Sequence, residues 1–222
     1  MLLLLLFGTL LTVAEEEENQ IETGDEFTID HLEYELLSET EAALSGWESD
    51  SEEPRQFTIP DTVTYGEKSY AITEIAELAF AGSETIETVT IGSNIRTIGD
   101  YAFSECEALE TIQIPAQVEQ IGQGAFSGDE NINIDIQKGN TSYIYENGLL
   151  IKGDSIIFAD PVMEECSIPA SIKTIQPYAF QGCDYLSEIT IPATVNILQE
   201  NVFAECYGIE RIHIENNPGL KL

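Results

Sequence analysis

Hydrophobic and polar positions alternate in short runs along most of this chain, and the runs recur at a fixed interval. Motif phenylalanines lie 23 residues apart within two blocks, at Phe80, Phe103 and Phe126 and then at Phe180 and Phe203, and each follows an alanine except Phe203, which follows Val202. The isoleucine that closes each strand-like run keeps the same phase, at Ile91, Ile114, Ile168, Ile191 and Ile214. Two landmarks with one period predict a solenoid, in which each unit buries its apolar face by stacking on its neighbours.

One unit of the repeat can be read in the stretch TIGDYAFSECEALETIQIP, residues 97–115. Ile112 and Ile114 alternate with Gln113, which predicts a strand that ends at Pro115 because proline has no N–H for the ladder. The segment around each Ala–Phe pair is too short for a long helix, so we predict one or two helical or 3₁₀ turns there. The phenylalanines should point inward and stack in a column. Strands are expected at Val89–Ile91, Ile112–Ile114, Ile132–Ile136, Cys166–Ile168, Ile189–Ile191 and Ile212–Ile214.

One unit of the array is remodelled. The two motif phenylalanines on either side of it, Phe126 and Phe180, are 54 residues apart, which is two periods plus eight, so the phase survives a lengthening. The added residues lie at about 137–165. Within them, Leu149–Ile151 and Ser155–Phe158 flank a short turn and predict a hairpin that leans out of the solenoid.

The run IGDYAFSECEALETIQIP resembles the repeat of the BspA-like (Treponema pallidum-type) leucine-rich repeat family, a 23-residue class of surface and secreted proteins in bacteria and some protozoa. The resemblance covers about residues 57–222 and rests on a motif of many positions. It implies a right-handed curved solenoid with a parallel β-sheet on the concave side, short helical or 3₁₀ turns opposite, and an N-terminal hairpin cap. It also implies that the variant repeat at about 137–165 serves packing more than ligand binding.

The N-terminal part of the chain has two segments of different composition. Residues 1–14, MLLLLLFGTLLTVA, look like the apolar region of a secretory signal peptide and are too short to span a bilayer, although no basic residue follows Met1. Residues 15–56 are strongly acidic, and loose alternation from Phe27 to Leu37 predicts a hairpin that caps the first coil. The predicted order is therefore signal peptide 1–14, acidic segment and cap 15–56, and solenoid 57–222, in a bacterial protein that is secreted or held at the cell surface.

The net charge of the chain excludes some classes of binding partner. The chain has 8 Lys and Arg against 41 Asp and Glu, a formal charge of −33, which argues against nucleic acid and anionic lipid surfaces. Simple solubility explains this acidity better than a cationic ligand does, since the acidic segment contains no spaced calcium-binding loop. Repulsion between copies favours a monomer.

Cysteines and histidines offer little chemistry. Cys106, Cys183 and Cys206 each follow a motif phenylalanine by three residues, as buried small hydrophobic residues would. A disulfide between Cys183 and Cys206 on adjacent coils is conceivable, but free thiols are favoured because Cys106 has no cysteine at the equivalent position of either neighbouring coil. With no C-x-x-C and only His31 and His213, we predict no metal site, no cofactor and no enzymatic activity.

The repeat leaves only the outward positions of its strands free for function. We predict that they form a polar strip that binds a protein or glycoprotein, because a rigid solenoid face loses little entropy on binding, and the family resemblance implies adhesion. The alternative is a non-binding spacer or a truncated fragment of a larger surface protein, since residues 216–222 resemble the start of another variant repeat. The predicted binding residues are Thr88, Thr90, Glu110, Thr111, Gln113, Glu188, Thr190, Glu210, Arg211 and His213.

Overall fold

The computed structural model describes residues 22–48, 55–129 and 132–222, and these form a parallel β-solenoid of about six turns. The predicted signal peptide at 1–14, and residues 15–21 and 49–54 of the predicted acidic segment, lie outside the described residues. Within them no helix is present, and so none that could cross a bilayer.

Strands account for the regular structure of the described residues. In chain order they are β1 (Glu26–Ile29), β2 (Leu32–Leu36), β3 (Glu41–Trp47), β4 (Gln56–Thr58), β5 (Thr62–Tyr65), β6 (Lys68–Ile75), β7 (Thr88–Thr90), β8 (Thr97–Ile98), β9 (Thr111–Ile114), β10 (Gln120–Ile121), β11 (Asn133–Ile136), β12 (Ile144–Glu146), β13 (Leu149–Lys152), β14 (Ser155–Ala159), β15 (Thr174–Ile175), β16 (Glu188–Ile191), β17 (Ile197–Leu198) and β18 (Arg211–Ile214).

The strands of the repeat motif form two parallel sheets, which we call the strip sheets. One has the order β11-β9-β7-β4, and the other contains β16 and β18 alone. The register is set by the repeat, so that Val89 lies opposite Ile112 and Ile112 opposite Ile134. Strands are confirmed at five of the six predicted positions. The prediction for Cys166–Ile168 was wrong, because these residues form no strand.

A second set of strands lies on the other side of the coils. The short strands β8, β10, β15 and β17 continue the parallel ladders that begin at β6 and β14. At the N-terminal end, β1, β2 and β3 are antiparallel and join the ladder through β3 and β6. The predicted N-terminal hairpin is therefore confirmed as β1–β2, and it buries Tyr34 and Leu36.

The Ala–Phe segments are series of hydrogen-bonded turns and not 3₁₀ helices. Two residues in each regular coil have a left-handed backbone, such as Leu78 (φ 61°) and Gly82 (φ 76°) on either side of Phe80. A left-handed residue cannot continue a right-handed helix, so the predicted helical or 3₁₀ turns do not form. The equivalent residues are Tyr101, Gly124, Tyr178 and Asn201 before the phenylalanine, and Glu105, Gly128, Gly182 and Glu205 after it.

The predicted phenylalanine column is confirmed. The ring centroids of Phe80 and Phe103 are 5.3 Å apart with planes inclined by 9°, and those of Phe103 and Phe126 are 6.1 Å apart with planes inclined by 13°. Phe158 continues the column edge-on at 6.1 Å from Phe126. Each ring is almost completely buried, so the column joins successive coils through apolar area that they bury together.

The predicted hairpin in the variant repeat is present as β13–β14, but it does not lean out of the solenoid. Both of its faces are buried. Leu150 and Phe158 pack into the core of the N-terminal coils, whereas Ile151 and Ile156 pack into a separate core with the C-terminal coils. The hairpin is therefore an internal layer of the solenoid, because a strand pair that is apolar on both faces is most stable between two apolar neighbours. This layer separates the two strip sheets.

Candidate binding surface

Polar side chains form rows across the strip sheets, because the strand register equals the repeat. The rows are Gln56, Thr88, Thr111 and Asn133; Thr58, Thr90, Gln113 and Asp135; Glu188 and Arg211; and Thr190 and His213. All ten predicted binding residues lie on the strip strands or, for Glu110 and Glu210, directly before them. Seven are exposed, while Thr88, Thr111 and Gln113 are half-buried.

Contacts between coils hold several of these side chains in place. The Gln113 amide donates to Asp135 Oδ2 at 2.7 Å, and its carbonyl oxygen accepts from Gln137 Nε2 at 2.8 Å. On the other strip sheet, Arg211 Nη1 lies 2.6 Å from Glu188 Oε2. A binding partner would therefore meet an ordered surface, which lowers the entropic cost of association.

The prediction from sequence missed four members of the strip. Asn133 and Asp135 on β11, and Gln56 and Thr58 on β4, extend the same rows. A signal for the first pair was available, since Asn133 and Asp135 alternate with Ile132, Ile134 and Ile136. The spacing from Gln56 to Thr88 is 32 residues and breaks the period, so only the strand pairing could reveal β4 as part of the strip.

A cleft with a volume of about 580 Å³ lies at the edge of β16. It contains two predicted binding residues, Glu188 and Thr190. It also brings in residues that the sequence did not single out, among them Tyr185, whose side chain is 66% exposed. The lining residues are Glu164, Glu165, Cys166, Tyr185, Ser187, Glu188, Ile189 and Thr190.

This cleft exists because a strand ladder is missing. In the first strip sheet, Thr88 N–H donates to the Arg55 carbonyl at 3.1 Å and Ile59 N–H donates to the Thr90 carbonyl at 2.9 Å. The equivalent bonds between β16 and residues 164–168 do not form. On the opposite side of the solenoid the coils stay in contact, since β14 pairs with β15. The internal hairpin thus separates neighbouring coils on the side of the strip sheets, but not on the opposite side.

The cysteines of the repeat are structural, as their spacing predicts. All four are present as thiols, so the structure agrees with the free thiols favoured above and not with a disulfide between Cys183 and Cys206. Cys106 Sγ donates to the Phe80 carbonyl at 3.1 Å, and Cys206 Sγ donates to the Phe180 carbonyl at 2.8 Å. The thiol at this repeat position therefore ties one coil to the preceding one. Burial also raises the pKa of Cys166 to about 11.

These repeats match a known family. A sequence model of the BspA type leucine rich repeat region fits six copies to residues 54–149 and 153–219, more than half of the chain. The chain belongs to this family. A comparison with curated proteins gives no match.

Solved structures of bacterial proteins are similar to this chain. The pneumococcal vaccine antigen PcpA is 18% identical, with a TM-score of 0.51 over 90% of this chain and 72% of that chain. The leucine-rich repeat protein of T. pallidum is 22% identical, with a TM-score of 0.49 over 86% of this chain and 84% of that one. At these identities the likeness concerns the fold.

A Ser-His-Asp or Cys-His catalytic group in this chain would have to use His31 or His213. In the leucine-rich repeat chain described here, His31 pairs with Glu48 in the cap at 3.0 Å, and His213 lies exposed on β18. The Cys206 thiol donates to the Phe180 carbonyl of the preceding coil at 2.8 Å. No group of three or more metal-ligating side chains occurs within 22–48, 55–129 and 132–222.

Proposed function

We propose that this chain is a secreted or surface-associated module that recognises a protein or glycoprotein through its polar strip. The single observation that carries the proposal is the alignment of the exposed polar side chains in rows on strands that the solenoid core holds rigid. Hydrogen-bonding side chains on a rigid sheet suit a partner with its own polar surface. The family's occurrence on bacterial surface proteins, and the description of PcpA as a vaccine antigen, support a location outside the cell.

The strip is better suited to a macromolecule than to a small molecule. Its rows run across four adjacent strands of the first strip sheet, and strands in a sheet are about 4.8 Å apart, so the rows extend over about 15 Å. An area of this kind fits the extended contacts of protein–protein recognition. Adhesion to a host or matrix protein is the role we propose for it.

The test compares the full chain with two arginine-substituted variants on an array of extracellular-matrix and host-surface glycoproteins. The strip variant carries Thr90→Arg, Gln113→Arg and Thr190→Arg. The control carries Gln117→Arg, Gln120→Arg and Gln199→Arg, three exposed residues outside the strip, so it adds the same charge.

We expect binding to at least one glycoprotein that the strip variant loses and the control retains, because arginines on the strip would obstruct a partner surface. Circular dichroism and thermal unfolding establish that both variants fold. Equal binding by the two variants, or an array on which the parent chain binds nothing, would contradict a recognition role for the strip.

A further inference from the structure

The edge of β16 presents backbone groups to the cleft. Glu188 and Thr190 occupy the repeat positions of Thr88 and Thr90, whose N–H and C=O groups bond to the preceding coil. Residues 161–173, which precede β16 on the neighbouring coil, form no strand, and β16 pairs with β18 alone. The polar backbone groups of Glu188 and Thr190 on this side therefore have no ladder partner within the described residues. Such an edge can pair with another extended chain.

The side chains around the edge of β16 determine which charge a bound ligand can carry. Glu164 and Glu165 line the cleft, are exposed and form no ion pair with any described residue. Glu188 adds a third carboxylate, which Arg211 holds at 2.6 Å. The formal charge of −33 attracts cations to this surface and repels acidic segments.

The shape of the cleft fits a short piece of extended chain. Its volume of about 580 Å³ is typical of binding clefts, which range from about 300 to 1,000 Å³. One wall is a strand edge, and Tyr185, which is 66% exposed, lines the cleft, where an aromatic ring can attract a cationic side chain.

We propose that the cleft binds an extended peptide segment with lysine or arginine side chains, which adds to β16 as a further strand. The proposal rests on the proposed function and specifies one kind of partner for it. Main-chain hydrogen bonds to Glu188 and Thr190 supply affinity, and the contacts of basic side chains with Glu164 and Glu165 supply selectivity. The internal hairpin is the structural cause, since it opens the strip side of the solenoid at this coil.

The test uses a fluorescein-labelled eight-residue peptide that alternates lysine and valine, with binding to the full chain followed by fluorescence anisotropy. Three comparison peptides carry glutamate in place of lysine, N-methyl groups on alternate backbone amides of one edge, or N-methyl groups on the other edge. N-methylation removes the donors of a strand edge without changing its charge, so one of the two methylated peptides should bind about tenfold or more weakly. The glutamate peptide should not bind.

The protein variants test the charges. Glu164→Gln with Glu165→Gln should weaken binding of the lysine–valine peptide by about three- to tenfold, the effect of losing two exposed ion pairs. The matched control, Glu77→Gln with Glu84→Gln, removes two exposed carboxylates far along the chain from the cleft and should bind as the parent does.

Each contrary result overturns a stated part of the proposal. Equal affinity for the peptide and both N-methylated forms would show that the β16 edge is not used. Equal weakening by the two glutamine variants would show that net charge alone attracts the peptide. If binding to the glycoproteins is lost in the strip variant but the lysine–valine peptide does not bind the chain, the proposed function holds and the strand-addition proposal is wrong. A second copy of the chain as occupant, seen as a concentration-dependent increase in mass by light scattering that the peptide does not reverse, would also overturn it.

Discussion

Asp129 departs from the repeat by placing a carboxyl group in the core. It takes the position that a cysteine occupies in three other coils, and it is 1% exposed. Its Oδ1 accepts a hydrogen bond from Cys106 N–H at 2.6 Å, while Oδ2 has no partner among the described residues. Burial raises the pKa of this carboxyl from 3.8 to about 8, the bond from Cys106 opposes that shift, and the charge of Glu105 adds to it.

We predict that Asp129→Asn removes a pH dependence of stability. The folded chain keeps this carboxyl protonated up to about pH 8, whereas the unfolded chain releases the proton near pH 3.8. The free energy of unfolding should therefore fall as pH rises from about 4 to 8. Asparagine keeps the acceptor for Cys106 and stays neutral, so the variant should be more stable than the parent at pH 8 by about 1–3 kcal/mol.

The measurement is urea unfolding at pH 5 and pH 8. Asp184→Asn is the matched control, because Asp184 is exposed and also accepts a backbone bond, from Tyr207 N–H at 2.7 Å. This control should keep the pH slope of the parent. A slope that is the same in all three proteins would show that the Asp129 carboxyl does not lose its proton on unfolding.

The turns are the elements that set the shape of each coil. Their left-handed positions are glycine in some coils and larger residues in others, with Gly82, Gly128 and Gly182 equivalent to Glu105 and Glu205. A side chain at a left-handed position costs about 1–2 kcal/mol, whereas glycine adopts this conformation freely. The coils therefore share one turn geometry that some of their residues fit poorly.

We predict that Glu105→Gly stabilises the chain, even though glycine usually destabilises. Glu105 has φ 57° and an exposed side chain, so the change relieves strain and removes little contact. The gain, after the extra entropy of the unfolded glycine, should be about 0.5–1 kcal/mol in the free energy of unfolding. Glu107→Gly, at an exposed site without positive φ, should lose a similar amount. Chemical denaturation of both variants measures the change in the free energy of unfolding. A decrease in both Glu105→Gly and Glu107→Gly would contradict the strain argument.

At the scale of the whole molecule, repulsion between acidic residues destabilises the fold, whereas the stacking of apolar coils stabilises it. The 41 acidic and 8 basic residues repel one another on average, while continuous apolar cores hold the coils together. The ion pairs seen between coils, such as Arg96 with Glu41, are exposed and contribute little. Self-repulsion should therefore dominate the response to salt.

We predict that salt raises the melting temperature. An increase from about 0.1 M to about 1 M sodium chloride shortens the Debye length from about 10 Å to about 3 Å and screens the repulsion. Relief of even 1 kcal/mol would raise Tm by about 2–4 °C in a chain of this size. Differential scanning calorimetry measures the shift, and sucrose at equal osmolality corrects for effects unrelated to charge. A constant or lower Tm would contradict a dominant role for repulsion.

The sequence by itself determined the repeat, five of the six predicted repeat strands and most of the polar strip. These follow from local patterns: alternation fixes which side chains face inward, and a constant period places equivalent residues in register. For the same reason the burial of Phe103 and Cys106 and the outward positions of Thr90 and Gln113 could be read directly.

Only the tertiary structure decided what happens at the variant repeat. An apolar run such as residues 149–151 is compatible with a hairpin that packs on one side or on both, because periodicity does not show how many neighbours a strand has. Burial of β13 and β14 on both faces turned the hairpin into a layer of the solenoid, removed the strand expected at Cys166–Ile168 and opened the cleft beside β16. The strip could be predicted because it repeats, whereas the cleft could not, since it arises where packing interrupts the repeat.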